Sequence, residues 1–519
     1  MKNKLKVLVT DNLSSSGLEI LRKSGFEVKM DSSLDGKNLE KEIRGYDGLI
    51  IRSGTNVTKE IIDNADKLKI IGRAGVGVDN VDLESATRKG IVVMNVPAGN
   101  TISACEHTWA LIMSLLRNVP FAHQALSEKK WQKKKYKGKE LYGKKLGVVG
   151  LGKIGYEVAK RANAFGMHVL VHDPYTSADK AKEVKADMVE LEELLKESDV
   201  ITLHMPVNEK TKNFINEDTI KKMKKSSFLI NCARGGIVNE EDLAEAVKEG
   251  RISGAAVDVY KEEPTSDSPL LGLNNVIHTP HLGAATSEAQ ERVAVEIAEQ
   301  VSVFLKTGKI VNAVNAVGAD IEVELKKLAE KLGVFAGQYT EKLTKKAVIS
   351  YKDKIRKSGE SVSRFILMGY LSQFNEGVNL VNAQMLATEK GMRVAKQVVS
   401  DNDMYGEIKI EFNGDFSIEG GIIGKKARLT GLNGYIFDIP LSGNLLAICN
   451  IDRPGIVGHI GTILADYEIN IASMEVGREK IGGKAVTIIE VDGDIPEEVV
   501  EKLKKVEYIE DVKNIKVSQ

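Results

Sequence analysis

The amino-acid sequence predicts an α/β protein: two parallel-sheet domains, then an α+β intervening domain, then a small terminal domain of ferredoxin-like order. Three observations predict this. Short apolar strands alternate with amphipathic helices through the first half of the chain. A G-x-G-x-x-G run, Gly150 to Gly155, stands between one such strand and a helix. The last stretch repeats strand, helix, strand, strand, helix, strand. At 519 residues the chain is too long for one core, and about three or four domains fit it.

In order, strands are expected over 6–10, 26–30, 48–51 and 68–71, with a helix over 16–23 and turns at Gly25, Gly45 and Gly72. Residues 95–99 break the pattern, and an apolar helix over 106–116 bridges into a second unit that runs from about 145 to 280. A long helix then starts at Ser287, where Ser287 and Gln290 form a capping box. Val293, Ile297, Val301 and Phe304 lie down one face, and Gly308 supplies the stop. A helix placed so late returns the chain to the first unit. The first domain is therefore read as discontinuous, 1–97 with 284–317, enclosing a second domain over 98–283. Residues 318–442 read as a separate domain without recognisable chemistry, and 443–519 as the terminal one.

Composition excludes several functions. Lys+Arg and Asp+Glu both number 73, which removes the general case for nucleic acid or an anionic membrane as partner. Three scattered cysteines, Cys105, Cys232 and Cys449, offer neither a disulfide framework nor ligand spacing, so no metal is expected. No apolar run approaches the roughly 20 residues needed to span a bilayer, and the N-terminal run is too short for a signal peptide. A cytoplasmic protein is expected.

The chemistry begins at the glycine run. Gly150 permits the tight turn, Gly152 lets a pyrophosphate approach the backbone, and Gly155 lets strand and helix pack. The helix start that follows adds positive potential. Asp173, at the end of the next strand, suits the adenosine ribose diol. Pro174 and Tyr175 follow it without an arginine for a 2′-phosphate, so NAD is favoured over NADP. A dinucleotide that takes hydride from an alcohol also needs a base for the hydroxyl proton, and an acidic substrate needs a cation for its carboxylate. His281, just past a strand, suits the base, and Glu263 suits the carboxylate that fixes its tautomer. Arg234, beside Gly235 and Gly236, suits the two-pronged grip on a carboxylate. His107, His123, His168 and His459 read as packing or surface residues.

Together, Gly150 to Gly155, Asn231 to Gly236, Asp258 to Pro264 and Pro280 to Ala284 resemble the D-isomer-specific 2-hydroxyacid dehydrogenases. The resemblance implies two Rossmann-like domains, Arg234 on the substrate carboxylate, His281 as proton donor and acceptor, and Glu263 as its partner. It places Lys153, Ile154, Cys232, Ala233, Asp258, Gly283 and Ala284 at the cofactor with the residues already named. Arg52-Ser53, the run around Arg73-Ala74-Gly75-Val76 and Asn100-Thr101 are similar to loops that bind a phosphorylated 2-hydroxy acid. Arg52 and Ser53 would meet the phosphate, the backbone of Ala74, Gly75 and Val76 the carboxylate, while Asn100 and Thr101 line the cleft. Arg73 is either an added positive charge or a hinge or surface residue.

The basic run Lys133 to Lys135 beside Trp131 reads as solvated, near a subunit boundary in this family. The terminal domain resembles an ACT module, which implies Asn450, Asp452 and Asn470 around an amino-acid effector such as L-serine, or else a purely oligomeric role. A homodimer or homotetramer is expected. Other 2-hydroxy acids (D-lactate, glyoxylate, 2-oxoglutarate) and an NAD-sensing corepressor remain as alternatives.

Overall fold

A computed structural model describes residues 4–316, 321–400 and 404–518. The expected domain junction at 317–318 lies outside the described residues. Among those described, the strands form four sheets.

The first sheet is parallel, in the order Glu27–Met30, Lys6–Val9, Gly48–Ile51, Ile70–Arg73, Val92–Met94. Its central strand, Gly48–Ile51, is buried throughout, as befits a parallel sheet covered by helices on both faces. One cover is the helix Ser287–Thr307, which packs on this sheet and on the helix Ser15–Lys23. Two glycines make room for it. A Cβ at Gly72 would stand 2.8 Å from Val301, and one at Gly17 would stand 2.8 Å from the Ala294 carbonyl oxygen. Gly72 is thus a strand residue at a close approach, which corrects its reading as a turn. The cap of the long helix is also shifted by one: the Thr286 hydroxyl accepts from Ala289 N at 3.2 Å. Ser287 is the first helical residue and forms no capping box.

The second sheet has seven parallel strands, ordered Val276–His278, Gly254–Val257, Phe228–Asn231, Val200–Leu203, Lys145–Val149, His168–His172, Ala186–Met188. Chain order reverses between Val200–Leu203 and Lys145–Val149. Ligands bind outside the carboxyl ends of strands at such a point. The helix Thr101–Leu116, which starts five residues before the expected 106, packs against this sheet beside the helix Lys153–Ala164.

The third sheet is ordered Arg393–Val399, Lys346–Lys352, Ile408–Phe412, Phe416–Ile423, Lys426–Leu432, Tyr435–Pro440. The fourth is antiparallel, ordered Ile471–Arg478, Lys484–Val491, Gly443–Ile451, Ile509–Val517, and its helices Ile456–Asp466 and Glu497–Lys504 complete the ferredoxin-like plan. One face of the fourth sheet packs on those helices through Leu446, Ile448 and Ile489. Its other face, through Leu445, Ala447, Ile488 and Ile515, joins the core of the third unit around the helix Val323–Thr340. Among the described residues no helix is long and apolar enough to cross a membrane.

Candidate active site

The glycine loop has the form that the sequence predicts. Gly150 follows its strand at φ 93°, in the left-handed region that glycine tolerates. A Cβ at Gly155 would stand 2.1 Å from the Gly150 carbonyl oxygen, so only glycine allows that corner. At Gly152 a Cβ would meet nothing, and Gly152 caps the next helix with no side-chain bond to its first N–H groups. Those donors face open space, which suits a pyrophosphate. Asp173 accepts hydrogen bonds from Leu151 N at 2.8 Å, Tyr175 N at 2.8 Å and the Thr176 hydroxyl at 3.0 Å. Burial works against its charge, but these donors outweigh it and hold the carboxyl below its usual value.

A cavity of about 260 Å³ opens beside the loop, lined by Gly152, Lys153, Ile154, Cys232, Ala233, Arg234, Asp258, His281, Gly283 and Ala284. Gly150, Gly155 and Asp173 shape the loop without lining this space. The open glycine, the uncapped helix start and the carboxylate at the end of the next strand together fit NAD. The Cys232 thiol stays protonated there, since burial and then Asp258 push it up to about 12.

At the cavity wall the structure brings His281 and Glu263 together, with Nδ1 of the imidazole 2.6 Å from the carboxylate. The other Glu263 oxygen accepts from Tyr260 N at 2.9 Å, which fixes the carboxylate. The Glu263 contact raises the pKa of His281 against the opposing pull of burial, and Asp258 adds to the rise. Arg234 lies in the loop after Phe228–Asn231, with Nε 3.2 Å from Asp79 and Nη1 donating to the Ala233 carbonyl at 2.7 Å. Its Nη2 occupies the space that a Cβ at Gly77 would take, at 2.4 Å.

A second cavity of about 730 Å³ adjoins the first and shares Asn100, His281 and Ala284 with it. Arg52, Ser53, Arg73, Ala74 and Gly75 form its other wall. Arg73 turns its guanidinium towards this cavity and is not an exposed surface residue. It is largely buried, its Nε has no partner, and burial together with the nearby Arg234 pulls its pKa down to about 10. A Cβ at Gly75 would stand 1.5 Å from its Nη1, so glycine there leaves the guanidinium its place. Asn100 presents a buried Oδ1 without a partner.

The expected substrate residues divide between the cavities, with Val76 and Arg234 lining the smaller one. Thr101 lines neither. As the first residue of the helix Thr101–Leu116 it has a buried, unpartnered hydroxyl. His278 was missed. It lines the larger cavity with a buried, unpartnered Nδ1, and burial lowers its pKa. His107, read as packing, instead stands 3.1 Å from both Asp258 and Thr279. Neither carries a motif that would have marked it.

In the terminal unit the three expected effector residues do not converge within one chain. Asn450 pairs across the sheet with Ala485, whereas Ile471, beside Asn470, pairs with Val491. Those positions are the two ends of one strand, roughly 20 Å apart at about 3.3 Å per residue. Asn450 is buried and bonded to Thr487, Asp452 accepts from Arg478 at 3.1 Å, and Asn470 donates to Asp492 at 2.8 Å.

Comparison with known proteins gives the class first. Residues 109–283 match the family model for the NAD binding domain of D-isomer specific 2-hydroxyacid dehydrogenases, residues 444–508 that of the ACT domain, and residues 324–433 the D-3-phosphoglycerate dehydrogenase intervening domain. Among solved structures, a D-lactate dehydrogenase from Aquifex aeolicus complexed with NAD and lactic acid is 30% identical at a TM-score of 0.53, covering 60% of this chain and 98% of that one. A glyoxylate reductase from Paecilomyes thermophila is 27% identical at a TM-score of 0.56, covering 60% of this chain and 99% of that one. Over the full length, the D-3-phosphoglycerate dehydrogenase of Methanocaldococcus jannaschii is 42% identical, covering 98% of this chain and 99% of that protein. That of Bacillus subtilis is 40% identical with the same coverage, 98% and 99%. The chain belongs to the D-3-phosphoglycerate dehydrogenase family, in the form that carries an intervening and an ACT domain, and it is an NAD-dependent oxidoreductase.

Proposed function

We propose that the chain reversibly oxidises 3-phospho-D-glycerate to 3-phosphohydroxypyruvate, the entry to serine synthesis. The observation that carries this reading is His281, paired with Glu263 and lining both a glycine-loop cavity and an arginine-lined one. Gly152, Lys153, Ile154 and Asp173 hold the dinucleotide, which supplies the hydride acceptor. Arg234 grips the substrate carboxylate with a planar fork, while Arg52, Ser53 and Arg73 receive the phosphate. His281 takes the hydroxyl proton as C2 is oxidised, and Glu263 stabilises the imidazolium that results. An intact Arg234, Glu263 and His281 set disfavours a corepressor with a retired site.

The test is NADH formation with 3-phosphoglycerate, D-lactate and 2-hydroxyglutarate, each with NAD and NADP. 3-Phosphoglycerate with NAD should be turned over best. Arg52→Ala should raise KM for it about tenfold or more, with little change for D-lactate. Equal use of all three acids by the wild type would overturn the substrate assignment.

We also propose a homo-oligomer in which L-serine is held between terminal units. The strand Ile471–Arg478 is an edge of its sheet, with Asp452 near one end and Asn470 at the other. A second copy paired antiparallel along that edge would set one chain's Asp452 near the other's Asn470. Calorimetry should then show saturable heat with L-serine, lost in both Asp452→Ala and Asn470→Ala. Absence of heat in the wild type would leave the unit a purely structural module. The three free cysteines suit the reducing cytoplasm proposed as its compartment.

A further inference from the structure

His281 holds its backbone at φ 55°, a left-handed conformation that a residue with a side chain keeps only where its surroundings overdetermine it. Asp258 supplies those surroundings. Its carbonyl accepts from His281 N at 2.9 Å. Its fully buried carboxylate accepts from Leu282 N at 2.7 Å, Gly283 N at 2.8 Å and the Thr279 hydroxyl at 2.6 Å. The turn that carries the imidazole therefore hangs on one acidic side chain.

That side chain has one more partner, which comes from outside the turn. His107 Nε2 lies 3.1 Å from Asp258 Oδ1 and 3.1 Å from Thr279 Oγ1. A carboxylate only accepts, and the Thr279 proton is already given to it, so Nε2 carries the hydrogen. One turn earlier on the same helix, Ser103 donates to the Gly283 carbonyl at 2.8 Å. The spacing of four places both side chains on one face of the helix Thr101–Leu116. This helix begins where the chain first crosses from the first sheet to the second, and Gly283 stands where it crosses back. Although the donor atoms of His107, Cys232 and Asp258 lie within 4.8 Å of one another, the Asp258 oxygens are committed to these hydrogen bonds, so the cluster is a bonding hub and not a metal site.

We propose that Ser103 and His107 are positioning residues that join the two interdomain crossings into one hinge and, through Asp258, set the pose of His281. Neither touches the cavities. The proposal rests on the role given above to His281, so the test has one arm that needs turnover and one that does not.

The variants are His107→Leu, His107→Gln and Ser103→Ala, each checked by thermal melting and by NADH binding. Leucine fills the space without a donor, whereas the glutamine amide can restore Nε2–H. His107→Leu should lower kcat roughly 10- to 100-fold, with KM for 3-phosphoglycerate and NADH affinity changed less than about threefold. Its isotope effect with 2-deuterated substrate should rise, because proton and hydride transfer then limit the rate. His107→Gln should recover most of kcat, and Ser103→Ala should show a smaller fall of the same kind.

In the second arm, the His281 imidazole is titrated by NMR; its charged neighbours are Glu263, Asp258 and Arg234. The midpoint should drop in His107→Leu, as the contact with Glu263 loosens, and return in His107→Gln. A folded His107→Leu with kcat within twofold of the wild type and an unmoved midpoint overturns the proposal. If the wild type itself fails to oxidise 3-phosphoglycerate, the functional reading falls, and the titration alone decides the positioning.

Discussion

Replacing His281 with alanine is expected to lower kcat for the oxidation by about 10²- to 10⁴-fold, the usual contribution of a positioned general base. NADH affinity should change less than about threefold, since the residues proposed to hold most of the dinucleotide, the glycine loop and Asp173, belong to a different segment from His281. Equal loss of NADH binding would remove the assigned role. The pH dependence follows from the same pair. Glu263 raises the pKa of His281 above its ordinary value, and oxidation needs the neutral imidazole. Oxidation should therefore rise as pH increases through that raised pKa, while the reverse reduction, which needs imidazolium, should fall over the same range. In Glu263→Gln the chief raising contact is gone and burial pulls the other way, so the limb should move to lower pH. A limb that stays in place would show that another group titrates there.

Arg234→Gln is expected to reduce kcat/KM for 3-phosphoglycerate by about 10³-fold, because a charge-assisted fork on the carboxylate and its pull on developing charge are lost together. Arg234→Lys should recover only part of this, since an ammonium cannot reproduce two parallel bonds. The geometry indicates why lysine is a poor substitute. Nε is engaged by Asp79, Nη1 by the Ala233 carbonyl, and Nη2 lies over the bare backbone of Gly77. Steady-state kinetics with each variant at saturating NAD would measure it, and a loss smaller than about tenfold for glutamine would move the carboxylate elsewhere, with Arg73 the nearest alternative cation.

The parts of this site that the sequence disclosed are those whose chemistry needs a fixed residue type at a fixed spacing. A glycine corner must be glycine, and an acidic residue must end the next strand, so Gly150 to Gly155 and Asp173 are legible before any fold is known. Arg234, Glu263 and His281 follow strands whose apolar runs are short and clear; Arg234 lines the smaller cavity, Glu263 the larger one, and His281 both. Other features depended on contacts between distant segments. Gly72 looks like a turn because glycine usually marks one, yet its bare α-carbon receives a helix more than two hundred positions later in the chain. The Arg73 guanidinium owes its place to Gly75 and part of its lowered pKa to the distant Arg234, and His107 acquires its partner from a strand end 151 residues away. The separation of the expected effector residues within one chain was hidden for a related reason. The motif that names Asn450, Asp452 and Asn470 is local, while the register that separates them is set by cross-strand pairing.

The ACT sheet has no bare face: its helices cover one side, and the intervening domain covers the other. The last two units are therefore expected to melt as one body in calorimetry, so that the regulatory module is not shed like a bead from a string. A chain stopped at 442 would lose the part of this shared core that Leu445, Ala447, Ile488 and Ile515 supply, and is expected to precipitate sooner than it would report on an unregulated enzyme.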